Sequence, residues 1–146
     1  MHHVNRQAIV RHSAKKMYDL VNEIEQYPQF LKWCFDSHII ERSDSYMLAG
    51  LTVSLAGIKQ KFTTKNEYIM TNNTYKIALS LVKGPFETLK GYWMFSPLNL
   101  EASKIELHLD FNFKSGFMNG AFKRAFGKIA TQLVADFVGR ANDVYR

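Results

Sequence analysis

The sequence predicts an α+β fold in which a curved antiparallel sheet of about seven strands wraps around a long C-terminal helix, in the order β-α-β6-α. Three observations predict it. Between about residues 47 and 113 apolar and polar side chains alternate, the two-residue period of strands with one buried face. After Ser115-Gly116 the period becomes three to four residues and stays so to Tyr145. Short turn signals separate the strands, which makes them an antiparallel meander whose apolar face must be covered.

Residues 4–11 set Val4, Ala8 and Val10 against Asn5, Gln7 and Arg11 and read as the first strand. Ser13 then offers a side-chain oxygen to free helix amides, and Met17, Leu20, Val21 and Ile24 follow at helical spacing. Tyr27-Pro28 is expected to stop that helix, because the residue before proline is pushed out of the α region. An apolar connection over 29–36 leads to a strand at about 37–42. Met47, Ala49, Leu51, Val53 and Leu55 alternate up to a tight turn at Ala56-Gly57. Ile58, Gln60, Phe62, Thr64, Asn66, Tyr68 and Met70 then share a face opposite Lys59, Lys61, Thr63, Lys65 and Glu67. Asn72-Asn73 is the next turn signal. Tyr75, Ile77, Leu79 and Leu81 form one strand, broken at Gly84-Pro85-Phe86, and Leu89, Gly91, Trp93 and Phe95 form another, ending at Ser96-Pro97. Ile105, Leu107, Leu109, Phe111 and Phe113 form the last. The closing helix is expected to run roughly 28 residues, about 40 Å at 1.5 Å per residue. It is the only predicted element long enough to cover the sheet.

The length of 146 residues fits a single domain, 1–146. A hydrophobic share of 47% and an aromatic share of 14% exclude disorder. No apolar run approaches the ~20 residues of a membrane span, and the first residues do not read as a signal peptide. With its lone cysteine, Cys34, the chain is expected in the reducing cytoplasm. The net charge of +6 would attract RNA or an anionic membrane surface, or serve solubility alone.

Catalytic and metal chemistry is not legible. His2, His3, His12, His38 and His108 do not pair at zinc-ligand spacing. Cys34, between Trp33 and Phe35, reads as a packing residue rather than a thiolate. Glu106 and Asp110 share a strand face opposite the phenylalanines, where no burial would raise a carboxyl pKa for acid catalysis. No enzymatic activity, required cofactor, metal or DNA partner is expected.

What remains is apolar surface. The sheet offers Leu51, Val53, Phe62, Tyr68, Leu79, Leu81, Trp93, Phe95, Leu107, Leu109, Phe111 and Phe113, and the helix offers Phe122, Phe126, Ile129, Leu133 and Phe137. Most of this must be ordinary close-packed core. A sheet curved around a helix can also leave a cleft, and Gly91, Gly120, Gly127 and Gly139 would suit either close approach or space.

Tyr27-Pro28-Gln29-Phe30-Leu31-Lys32-Trp33-Cys34 resembles the YPxFLPWC signature of the coenzyme Q-binding and ribosome association toxin family, which is similar to START-like, polyketide cyclase-like helix-grip proteins. The likeness continues through Ala49-Gly50-Leu51-Thr52-Val53, Gly57-Ile58, Phe62-Thr63-Thr64-Lys65-Asn66, Leu81-Val82-Lys83-Gly84-Pro85-Phe86, Leu89-Lys90-Gly91-Tyr92-Trp93-Met94-Phe95, Ala125-Phe126-Gly127 and Arg140-Ala141-Asn142-Asp143-Val144-Tyr145. Lys32 stands where that family usually has proline, Asn112 where an acid is common and Lys128 where proline is common.

The resemblance implies the same fold and two functions. One is binding of an isoprenoid lipid, ubiquinone above all, in support of respiratory electron transport. For it the candidate lining is Phe62, Tyr68, Trp93, Phe95, Phe111, Phe126, Ile129 and Phe137, with Phe30 and Trp33 closing the mouth of a pocket of several hundred cubic ångströms. The other is binding to the large ribosomal subunit, blocking subunit joining. For it, or for peripheral contact with an anionic inner membrane, the candidate basic surface is Lys59, Lys61, Lys65, Lys123, Arg124 and Lys128, extended by Arg140 and Arg146. A cyclase or hydrolase reading rests on fold analogy only.

Overall fold

The computed structural model describes residues 1–145. The elements are β1 (His2–Val10), α1 (Ala14–Asn22), a 3-10 helix (Ile24–Gln29), β2 (Cys34–Arg42), β3 (Tyr46–Leu55), β4 (Ile58–Thr71), β5 (Thr74–Lys83), β6 (Phe86–Asn99), β7 (Ala102–Phe113) and α2 (Gly120–Val144). The strands form one seven-stranded antiparallel sheet in the order β1-β7-β6-β5-β4-β3-β2. Strands β2 to β7 are sequential neighbours. Only β1 crosses over, pairing Val4 with Leu109 and Val10 with Ser103.

Two tight turns hold the meander together. Ala56 and Gly57 have φ of 52° and 76°, and Asn72 and Asn73 have φ of 51° and 65°. Positive φ at both central residues matches the right-handed twist of the flanking strands. On β7 the alternation is complete: Ile105, Leu107, Leu109, Phe111 and Phe113 are buried and their neighbours are not. Along α2 the buried stripe is Phe122, Phe126, Ala130, Val134, Phe137 and Ala141. It lies across the concave face of the sheet.

Three local expectations are revised. Helix α1 ends at Asn22, five residues before Tyr27, and the chain continues as a 3-10 helix that contains Pro28. Tyr27 anchors that turn from within the core, its hydroxyl donating to the Val21 carbonyl at 2.5 Å. Strand β2 starts at Cys34 rather than near residue 37, with a bulge between Cys34 and Asp36 that turns Phe35 out to solvent. Strand β6 runs past Pro97 to Asn99, because β5 pairs with it only as far as Phe95 and proline there breaks no ladder on that side.

The larger revision concerns what covers the sheet. Helix α2 is 25 residues long, capped by Asn119, whose side chain accepts from the Phe122 amide at 2.9 Å. It shares the concave face with α1. Tyr18 of α1 packs on Tyr75 at 4.7 Å between ring centroids, on Phe95 at 6.0 Å and on Tyr68 at 6.2 Å. Ser13 caps α1, accepting from the Lys16 amide at 3.1 Å.

Candidate functional site

Between the sheet and α2 lies an apolar cavity of about 110 Å³. Ile24 and Tyr27 of the 3-10 helix and Trp33 before β2 form one wall. The sheet contributes Ala49 and Leu51 of β3, Phe62, Thr64 and Asn66 of β4, Leu79 of β5, Leu89 and Trp93 of β6, and Leu109 of β7. Helix α2 closes it with Phe126, Ile129, Ala130, Leu133 and Phe137. Trp33, Leu51, Leu79, Ile129 and Leu133 are only half-buried, so the cavity reaches the surface between the β2–β3 edge and the middle of α2.

Gly91 lets β6 and β7 lie close together beside the cavity. It sits between Leu89 and Trp93 on the concave face, opposite Leu79 on β5 and Leu109 on β7. A Cβ at Gly91 would overlap the His108 carbonyl oxygen and come within 2.8 Å of the Leu109 Cα. The strands can approach this closely only without a side chain at that point.

Of the residues expected to line a pocket, the structure brings together Trp33, Phe62, Trp93, Phe126, Ile129 and Phe137. Four lie elsewhere. Tyr68 and Phe95 face α1 and pack around its Tyr18. Phe111 is buried among Phe86, Phe113 and Phe126, outside the cavity. Phe30 stands behind Phe137, 5.3 Å away edge-on, with the Arg140 guanidinium 4.9 Å over its ring. The cavity is also smaller than the several hundred cubic ångströms expected, because two helices and these rings fill the rest of the concave face.

The polar lining was missed. Thr64 and Asn66 are both buried, and the Thr64 hydroxyl donates to Asn66 Oδ1 at 2.8 Å. The signal was present in the sequence: on the face defined by Phe62, two polar residues occupy positions where the strand pattern calls for apolar ones. Trp33 Nε1 is buried without a hydrogen-bond partner. Burial pushes the Tyr27 hydroxyl strongly up, so it stays neutral. Cys34 is buried, and desolvation pushes its thiol up to about 11, away from any nucleophilic role.

The basic residues do not form one surface. On β4, Lys59, Lys61 and Lys65 alternate with Phe62, Thr64 and Asn66 and therefore project from the convex side. Lys59 lies 3.6 Å over the Phe35 ring and Lys65 4.9 Å over the Tyr46 ring. Lys123, Arg124 and Lys128 sit on α2, on the opposite side of the sheet, with Lys123 5.9 Å from the Phe113 ring centre. Arg140 is held by Gln29 Oε1 at 3.2 Å as well as by Phe30. Arg146 lies outside the described residues.

A curved antiparallel sheet gripping a C-terminal helix, with an apolar cavity between them, defines the helix-grip, START-like class. A START superfamily protein from Mycobacterium smegmatis superimposes with a TM-score of 0.80 over 99% of both chains at 23% identity. The chain belongs to the polyketide cyclase/dehydrase and lipid transport family, whose model matches residues 10–138. The resemblance carried by Tyr27 to Cys34 is borne out by named relatives. The chain is 45% identical over 145 residues to the ribosome association toxin RatA of Escherichia coli K12, covering 99% of this chain and 90% of that protein. It is 30% identical over 137 residues to a mitochondrial coenzyme Q-binding protein of Saccharomyces cerevisiae, covering 89% of this chain and 66% of the yeast protein. Among the described residues no helix is long and apolar enough to cross a membrane.

Proposed function

We propose that this protein binds an isoprenoid quinone, ubiquinone in the first instance, in the cavity between the sheet and α2, and carries it in support of respiratory electron transport. The observation that supports this reading is the cavity lining. Its side chains are aliphatic or aromatic apart from Thr64 and Asn66, and it contains no carboxylate, imidazole or amine. Such a surface holds a ligand by burial rather than by chemistry, and it supports a binding role over an enzymatic one.

The volume suits part of such a ligand. A cavity of this order holds one aromatic ring. Each buried methylene contributes about 0.8 kcal/mol, so a few ordered carbons suffice for useful affinity while the rest of the tail leaves through the half-buried mouth. Organic extraction of the natively purified protein followed by mass spectrometry tests this reading. A stoichiometric isoprenoid quinone is the expected result. A protein that is empty, and stays empty after incubation with quinone, overturns it.

A second reading uses the outside of the molecule. The relatives named as ribosome association toxins, together with the exposed Arg124 and Lys128 beside Lys123 on α2, favour binding to the large ribosomal subunit through phosphate contacts. Such binding releases counterions and weakens as salt rises. Because the sheet separates the two basic groups, one of them carries the contact. Charge reversal at Lys123, Arg124 and Lys128 is expected to abolish cosedimentation with large subunits, whereas reversal at Lys59, Lys61 and Lys65 leaves it intact. Flotation with anionic vesicles separates this from a peripheral membrane role for the same face.

A further inference from the structure

We infer that the ligand enters head first: its oxygen-bearing ring sits at the Thr64–Asn66 pair inside the cavity, and its tail leaves past an aliphatic rim. This rests on the quinone-binding reading above and assigns Asn66 as the residue that fixes the orientation.

The lining is graded the wrong way round for a pocket that takes in a tail. Four of its half-buried residues, Leu51, Leu79, Ile129 and Leu133, form an aliphatic rim. The polar side chains lie inside that rim. Thr64 and Asn66 are 8% and 5% exposed, and Asn66 pairs in register with the wholly buried Met47. Trp33 is the fifth half-buried residue, yet its Nε1 is buried and has no partner. The polar atom of that ring is therefore on its buried side as well.

The Thr64–Asn66 pair keeps capacity for a ligand. Thr64 donates to Asn66 Oδ1 at 2.8 Å. That single bond leaves the Asn66 amide N–H₂ to donate, with a second lone pair on Oδ1 and the lone pairs of the Thr64 oxygen to accept. Carbonyl and hydroxyl heads are both served, so the pair selects for a polar head and not for its redox form. An inserted tail would lay hydrocarbon against these groups, shut them off from water without a partner, and leave the head against leucines. An inserted head reverses both contacts. Its oxygens meet Asn66 and Thr64, and the first tail carbons meet the aliphatic rim. A cavity of about 110 Å³ takes one ring, so head and tail cannot both be inside.

Tryptophan fluorescence reads the orientation, because a quinone ring quenches an indole at short range. The chain has two tryptophans, and both line the cavity. In Trp33→Phe the sole fluorophore is Trp93, which is 4% exposed on β6. Titration with a ubiquinone bearing one isoprene unit is expected to quench most of its emission, with calorimetry on the same samples showing that the quinone is bound. Bound quinone that leaves Trp93 emission unchanged overturns the inference. Asn66→Leu, shown to be folded by circular dichroism, is expected to bind this quinone about tenfold more weakly, the scale of one buried hydrogen bond. It is expected to bind an isoprenoid hydrocarbon at least as tightly as the native protein does. Unchanged quinone affinity in the folded variant, or equal weakening of both ligands, overturns the inference and leaves lipid binding intact. If Asn66→Leu does not fold, the Trp93 titration decides alone. A native protein that binds no quinone overturns the quinone-binding reading itself, and the orientation with it.

Discussion

Trp93 in the middle of β6 meets Phe137 in the C-terminal half of α2 edge-on, with ring centroids 5.3 Å apart and planes at 82°. The pair spans the cavity and ties the sheet to the helix that closes it. Phe95, two residues further along β6, lies parallel to Trp93 at 6.0 Å and hands the stack on to Tyr18 of α1. Trp93 is only 4% exposed, so it is structural as well as lining. Trp93→Ala is therefore expected to cost about 3–5 kcal/mol, measurable by denaturant unfolding. It is a poor probe of binding for that reason.

Ala130 is a better probe. It faces the cavity from α2 and is almost fully buried. Ala130→Leu adds three carbons where a cavity of about 110 Å³ can take them. Retention of extracted lipid is expected to fall sharply, while the thermal midpoint stays within a few degrees of the native value, since filling a void offsets the strain. Undiminished lipid retention in a folded Ala130→Leu variant would place the ligand elsewhere.

Gly91→Ala is expected to destabilise by about 3 kcal/mol or more. Its Cβ has nowhere to go: the obstacle is the His108 and Leu109 backbone, not the end of a flexible side chain. Chemical denaturation measures this, and a neutral outcome would show that β6 and β7 can separate without loss.

Ala56 pulls the other way. It holds a φ of 52°, which costs an L-residue with a Cβ about 1 kcal/mol. Ala56→Asn creates the Asn-Gly pair favoured in such two-residue turns, and is expected to raise stability by about that amount in thermal or denaturant unfolding.

Cys34 ties stability to alkaline pH. Desolvation raises its folded-state pKa from 9.0 to about 11. A thiol held neutral in the fold contributes stability that is fully present below the unfolded value of 9.0 and is lost as pH rises from there through about 11. The native protein is thus expected to lose stability across that window more steeply than Cys34→Ala. Labelling of Cys34 by a thiol reagent at pH 8 is expected only on unfolding, and rapid labelling of the native protein would contradict the burial.

Much of this protein was legible in one chain. The alternation on β7, the two turns at Ala56-Gly57 and Asn72-Asn73, the cap at Ser13 and the change of period before α2 are all local. Each follows from steric and solvation preferences acting over a few residues, which is why they can be read in order along the sequence. The face on which Phe62, Trp93 and Phe126 lie was legible for the same reason.

Tertiary structure decided what each face meets. The same alternation that turns Tyr68 and Phe95 inward cannot say that Tyr18 will cover them and leave Phe62 and Trp93 to border the cavity. That division depends on where the crossover from β1 places α1, and on how closely β6 and β7 approach at Gly91. Both are set by pairings between residues far apart in the chain, such as Val4 with Leu109. The buried Thr64–Asn66 pair and the separation of the two basic groups have the same origin. A strand's period fixes the side of the sheet on which a residue sits, and only the closed structure fixes its neighbours there.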